Sequence, residues 1–430
     1  MSERLWLWAV LVLTACDTGS FTRPDGAGDG YLPGYLDGGG IPTPTCPGEE
    51  TDIAGTVLAP NGKDPVPGAT VFIPAQVPEI FPPQVQCEVC GHLGSSNNLW
   101  QTTTGADGKF VLKRVCPKQR PIVFQNGRFR RMILFDVPVN TQITLTPDRT
   151  RLPQRNAEFH PVDAIPKIAV ATGDYDKMEC VLRKMGLPEG TFDLYEDAYS
   201  RKSPTALPSF RDLVNNLAQM KTYNIIFINC TGNTFESELT KMLVRQNITD
   251  YIQSGGRLYV TDWSYDWIEQ VEDFSPFIDF EPGPSGSTPE KQNAAALGAD
   301  GLQVSATIKD ASLAAWLANF PGAIASNQSH IEHFLIDWVI MNKLGQDVKL
   351  WVEGQISSNM GDISGLRPLT VTFNFKNCGK VLYSSYHTEG RENELFPEAY
   401  PKYCNTTMSP QDRILEFLIF DIASCIKPIE

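Results

Sequence analysis

TYNIIFINCTGNTFESELTKMLVRQNITDYIQSGGRLYVTDW, residues 222–263, reads as strand, helix, strand. Ile225 to Ile228 is a short apolar run, the pattern of a strand covered on both faces. Thr234 is placed to cap the following helix, with Glu236 and Glu238 near its positive end. Leu239, Met242, Leu243, Ile248, Tyr251 and Ile252 recur at helical spacing and predict one apolar face. Gly255-Gly256 stops that helix, and Leu258 to Val260 starts a second strand. Such a unit crosses over right-handed and builds a parallel sheet. In open parallel sheets, sites lie beyond the carboxyl ends of the strands. Cys230 and Asp262 stand at those two ends.

Outward from this unit the α/β pattern continues. Lys167 to Ala171 is a strand, and Thr172-Gly173-Asp174-Tyr175-Asp176 turns into a helix ending at Met185, closed by Gly186. Phe192 to Tyr195 is a strand, and Ser209 to Met220 a helix with Leu213, Val214 and Leu217 on one face. Trp263 to Val271 is expected to be helical, and residues 275–300 form a long Pro/Gly/Ser-rich loop. Leu302 to Ile308, Asp347 to Glu353, Leu369 to Phe375 and Lys380 to Tyr386 are further strands. At the end, Ser409 caps a helix, Pro410 takes its first position and Asp412 completes a capping box.

At the other end, MSERLWLWAVLVLTAC carries one arginine and then an apolar run, Leu5 to Leu13, too short to span a bilayer. Leu13-Thr14-Ala15-Cys16 resembles the lipobox of bacterial lipoproteins. That resemblance implies removal of residues 1–15 and acylation of Cys16, hence a membrane anchor. An ordinary signal peptide, cut after a small residue, is the alternative. Residues 16–47 are rich in Gly, Asp, Pro and Thr and read as a flexible tether of roughly 30 Å reach. The net charge is -14 with no basic block, which excludes a nucleic-acid partner on electrostatic grounds.

Residues 48–150 change character: TDIAGTVLAP, PVPGATVFIPA and QTTTGADGKFVLKRV are short β-rich runs split by turn residues. They predict a small antiparallel sandwich. Ile53-Ala54-Gly55-Thr56-Val57, Pro67-Gly68-Ala69-Thr70-Val71 and Thr103 to Phe110 resemble the carboxypeptidase regulatory-like (transthyretin-like) domain. That resemblance implies a packing, tethering or binding module without catalysis.

The chain has ten cysteines, and an exported chain uses them chiefly in disulfides. Two bridges are expected among Cys46, Cys87, Cys90 and Cys116, stapling an insertion between Ile73 and Trp100. Cys87, Cys90 and His92, with Cys46 or Cys116, also suit a structural zinc site. Two further bridges are expected among Cys180, Cys378, Cys404 and Cys425, which leaves Cys230 as the free thiol.

Tyr251-Ile252-Gln253-Ser254-Gly255-Gly256-Arg257-Leu258-Tyr259-Val260, the strand ending at Cys230, and Ser384-Ser385-Tyr386-His387-Thr388-Glu389 resemble class I glutamine amidotransferase-like domains. The resemblance implies a flavodoxin-like α/β domain over residues 160–430 with a mainly parallel sheet. It also implies Cys230 as nucleophile, His387 as base and Glu389 as its orienter. The elbow departs from that family's pattern, because Asn229 stands where a small residue relieves the turn. A buried structural cysteine is the other reading of Cys230.

Asp174, Asp176, Asp262 and Asp266 fall at strand ends, where they face a ligand or simply cap helices. His330 and His333, three apart around Glu332, suit one helix face but lack a third ligand. Trp263, Tyr265 and Trp267 close a core or stack on sugar. No P-loop, dinucleotide fingerprint or nucleophilic Ser motif is recognisable, and no cofactor is expected. The sequence thus describes a lipid-anchored envelope protein that binds or scaffolds a protein or polysaccharide. A cysteine hydrolase or amidotransferase, and a carbohydrate-binding surface protein, are the alternatives.

Overall fold

The computed structural model describes residue 46 and residues 50–88, 98–196, 207–231, 235–280, 292–332, 334, 337–358, 363–388 and 400–424. The signal segment, Cys16, most of the tether, Cys90, His92, Thr234, His333, Glu389 and Cys425 lie outside these residues.

Seven strands build the first part: β1 (Thr51–Thr56), β2 (Thr70–Pro74), β3 (Asn98–Thr103), β4 (Lys109–Val115), β5 (Lys118–Asn126), β6 (Phe129–Val137) and β7 (Gln142–Thr144). They form two sheets, ordered β4-β1-β7 and β3-β2-β5-β6. Every pairing is antiparallel except β1 with β7. Along β1 buried and half-buried residues alternate, the period of two that a sheet with one covered face imposes. β5 and the start of β6 are instead buried on both faces, because the rest of the chain packs there. At the β5–β6 tip Gly127 has φ +54°, and a Cβ there would collide with the Ala423 carbonyl.

The second part is a nine-stranded sheet of β8 (Ile168–Ala171), β9 (Asp193–Tyr195), β10 (Ile225–Ile228), β11 (Arg257–Thr261), then, beyond the short β12 (Ile278–Asp279), β13 (Val304–Ile308) and β14 (Gln328–Ile331), and, beyond β15 (Lys343–Leu344), β16 (Val348–Ser357), β17 (Ser364–Phe375) and β18 (Gly379–Ser384). Its order is β14-β13-β16-β17-β18-β11-β10-β8-β9, while β12 and β15 pair separately. β9, β8, β10, β11 and β18 run parallel. β17, β16, β13 and β14 extend the sheet antiparallel. The expected mainly parallel sheet is therefore a mixed one. The four added strands are connected by loops and one short helix, and only long crossovers enforce parallel pairing.

Side chains of β10 leave on alternate faces. Ile225 and Phe227 join a core cluster that also holds Ile53, Phe124, Trp316 and Phe420, whereas Ile226 and Ile228 join a second with Val244, Ile248 and Tyr251. The first cluster runs unbroken from the small sandwich into the large sheet. Polar contacts reinforce the join: Asn61 N–H donates to Met185 O (2.8 Å) and Trp316 Nε1 to Pro65 O (2.7 Å). At the C-terminus Ser409 Oγ accepts from Asp412 N–H, and Asp412 returns the bond, so the expected capping box is present on helix Pro410–Ala423.

Local expectations needed correction in four places. The helix between β10 and β11 begins at Met242, after a 3-10 turn at Glu236–Thr240, with Lys241 rather than Thr234 at its N-cap position. Met242 and Leu243 are consequently exposed, and Leu239, Val244, Ile248, Tyr251 and Ile252 are buried. The helix expected over 209–220 breaks into Phe210–Val214 and Leu217–Met220, where the Asn216 side chain caps the second piece by accepting from Gln219 N–H. His330 lies on strand β14, not on a helix, and its exposed ring pairs with Glu332 at 3.6 Å.

The fourth correction concerns disulfides. Cys46–Cys116 and Cys180–Cys404 pair within the expected groups, but Cys87 joins Cys378, 291 residues away. The insertion leaves the sandwich and lies against the large sheet: Val85 N–H donates to Lys221 O (2.8 Å), and Gln86 packs on Gly255. That course brings Cys87 to the β17–β18 turn. Cys230 is the free cysteine among the described residues.

Candidate functional site

β10, β11 and β18 are neighbours in the parallel half of the sheet, and their carboxyl ends deliver Cys230, Asp262 and His387 to one place. One ligand atom from each residue lies within 4.8 Å of the others. His387 Nε2 is 3.0 Å from Asp262 Oδ2, and Cys230 Sγ donates to the same oxygen at 3.5 Å. All three side chains are buried, with Asp262 at 0% and Cys230 and His387 at 1% exposure.

The backbone is arranged to hold these groups. Asp262 has φ +42°, a left-handed conformation that aspartate tolerates better than most residues. Its Oδ1 accepts the Val339 N–H (2.6 Å), and its carbonyl accepts the Tyr383 hydroxyl (3.1 Å). Cys230 N–H donates to Thr261 Oγ1 (2.8 Å), and the Cys230 carbonyl accepts from Tyr175 N–H (3.2 Å). A Cβ on Gly173 would collide with that carbonyl, so the turn after β8 needs glycine for this close approach. Gln411 Nε2, from the last helix, donates to His387 O (2.6 Å).

Electrostatics disfavour a resting thiolate. Burial pushes the Cys230 thiol well above its usual range, and the Asp262 charge adds to the shift. Burial also raises the Asp262 carboxyl, against the opposing pull of His387. A thiol donating to a carboxylate is favoured in its protonated form, the reverse of an activated nucleophile.

The four strand-end aspartates have different partners, and the Asp176 charge acts on Cys230 together with that of Asp262. Asp174 is exposed, near Thr231 Oγ1 at 3.5 Å. Asp176 is buried and accepts from Lys177 N–H (2.8 Å) and Thr388 N–H (3.0 Å). Asp262 belongs to the cluster above. Asp266 is buried beside Glu269 and accepts from Asn293 N–H (3.2 Å), and burial raises its carboxyl to about 6. Tyr265 and Trp267 are fully buried and Trp263 packs partly against the same core, so these aromatics close the interior.

Two features escaped the sequence reading. Asp262 is the carboxylate that meets both Cys230 and His387; its place after β11 was noted, but not its partner across the sheet. Asn229 turns inward, where Nδ2 donates to Glu179 Oε2 (2.8 Å), and Glu179 Oε1 accepts from Tyr403 (2.5 Å). The residue that departs from the amidotransferase elbow thus anchors a buried polar network. Glu389 lies outside the described residues.

No protein-family model matches the chain, and no curated protein does. Among solved structures it is similar to a ThuA-like protein from Parabacteroides merdae, with 11% identity over 61% of this chain and 92% of that one, at a TM-score of 0.33. It is also similar to a GH42 β-galactosidase from G. stearothermophilus, with 9% identity over 63% of this chain and 32% of that one, at a TM-score of 0.26. A third likeness is to a type II cohesin–X-dockerin complex from Acetivibrio cellulolyticus, with 14% identity over 33% and 88% of the two chains, at a TM-score of 0.18. At such scores these likenesses decide neither fold nor activity.

Proposed function

We propose that this chain is an exported envelope protein, anchored through a lipid on Cys16, which binds or scaffolds a protein or polysaccharide and does not use Cys230 as a nucleophile. The carrying observation is Cys230 itself: a buried thiol that donates to Asp262 instead of being held as a thiolate. Three disulfides among the described residues, joining segments 70 to 291 residues apart, support export to an oxidising compartment. The order of the parallel half, β9-β8-β10-β11-β18, is the 2-1-3-4-5 order of flavodoxin-like sheets and supports the amidotransferase-like resemblance at the level of fold.

Two measurements test the reading. Cys16→Ser should move the protein from the membrane to the soluble fraction; unchanged retention, with no lipid mass on the N-terminal peptide, removes the anchor. Iodoacetamide at pH 7 should leave Cys230 unlabelled in the native protein and label it after unfolding in guanidinium. Rapid native labelling that disappears in His387→Ala would establish a cysteine enzyme instead.

A further inference from the structure

We propose that Cys230, Asp262 and His387 form a buried binding site for a divalent transition-metal ion, with zinc the best fit, which locks the carboxyl ends of β10, β11 and β18 together. This goes beyond the proposed function, which holds whether or not a metal binds.

The donor set mixes sulfur, nitrogen and carboxylate oxygen, the ligands zinc accepts. Spacing agrees. Zinc bonds of about 2.3 Å to sulfur and about 2.1 Å to nitrogen and oxygen, at tetrahedral angles, set donors about 3.6 Å apart for sulfur–oxygen and about 3.4 Å for nitrogen–oxygen. The observed separations are 3.5 Å for Cys230 Sγ to Asp262 Oδ2 and 3.0 Å for His387 Nε2 to Asp262 Oδ2. These two pairs need shifts of a few tenths of an ångström, and sulfur and nitrogen lie within 4.8 Å of each other.

Charge agrees as well. A thiolate, a carboxylate and a neutral imidazole together balance a divalent cation, so the bound site is neutral where water is excluded. Binding releases the thiol proton, and any second proton on His387, to solvent. The supporting shell is already present: Val339 N–H holds the other Asp262 oxygen, and Gln411 holds the His387 carbonyl. Cys230 is also the one cysteine among the described residues that remains a thiol, while the other six are in disulfides. Three protein donors leave one tetrahedral position for water or a small anion.

The test uses the full chain, extracted from membranes without chelator. Elemental analysis should find about one zinc per chain. After chelation, added Co²⁺ should give visible ligand-field bands and a near-ultraviolet thiolate-to-cobalt band that saturates at about one equivalent. Cys230→Ser should abolish the thiolate band while the disulfide map stays unchanged. Should that variant fail to fold, the wild type decides: added Zn²⁺ must raise the melting temperature and slow alkylation of Cys230 in moderate guanidinium. Absence of the thiolate band, its survival in Cys230→Ser, or alkylation indifferent to Zn²⁺ overturns the site and leaves a His–Asp ion pair with a plain thiol. None of these results bears on Cys16 or on native reactivity toward iodoacetamide without metal, so failure here is distinct from failure of the proposed function.

Discussion

Arg413→Met should show how firmly the sandwich is joined to the large sheet. Arg413, on the C-terminal helix, pairs with Asp64 of the sandwich (2.7 Å) and Glu416 (2.7 Å), and its guanidinium lies 4.1 Å from the Phe320 ring centroid. Methionine keeps much of the apolar stem and removes the charge. Glu416 is fully buried; burial pushes its carboxyl well above the usual range, Asp64 pushes it further, and Arg413 opposes both. The sign follows from linkage. In the folded chain Glu416 keeps its proton at pH values where the unfolded chain, with a pKa near 4.3, has lost it, so its contribution to stability falls as pH rises above about 4.3. Removing Arg413 deepens that fall. Protonation sets a ceiling: at about 1.4 kcal/mol per pH unit, a fully protonated Glu416 costs about 3.7 kcal/mol at pH 7, and the variant loses only the part of this that wild type does not already bear. The expected destabilisation is therefore at most about 3–4 kcal/mol at pH 7, with the ceiling falling to about 1 kcal/mol at pH 5. Urea unfolding with the disulfides intact, followed by tryptophan fluorescence, measures it, because Trp316 packs beside this network. Adding Glu416→Gln should recover most of the loss. A loss above about 4 kcal/mol at pH 7, or one larger at pH 5 than at pH 7, refutes the reasoning.

Peptide mapping without reduction should recover Cys87–Cys378, and two bridges confined to Cys46, Cys87, Cys90 and Cys116 would contradict the path of the insertion. Burial raises Asp266 to about 6 beside Glu269, so that pair favours folding below about pH 4 and ceases to do so as pH climbs through 6. Asp266→Asn should flatten the stability profile between pH 4 and 6, by up to about 3 kcal/mol, and an unchanged profile would count against the shift. Gly127→Ala forces a left-handed backbone and a clash with the Ala423 carbonyl, and should cost about 2–4 kcal/mol in the same unfolding assay; a neutral result would mean the β5–β6 tip does not pack there.

By itself the sequence determined what depends on near neighbours. Ile225–Ile228 and Leu258–Val260 are continuous apolar runs and became parallel strands, because burial on both faces leaves no other pattern. Ser409, Pro410 and Asp412 act within one helical turn, so their capping box was readable from residue types alone. Counting left one thiol over, and its place at the end of a buried strand, far from the other cysteines, singled out Cys230. Only the tertiary structure decided which distant segments meet. The antiparallel half of the large sheet, the Cys87–Cys378 bridge and the exposure of Met242, where helical spacing predicted burial, rest on packing that no local period encodes. The same holds at the site: Asp262 was visible at a strand end, but its position between Cys230 and His387 follows from β10, β11 and β18 lying side by side. Strand adjacency is set by burying apolar faces over more than a hundred intervening residues, and that free energy is summed over the whole core rather than written in any one stretch.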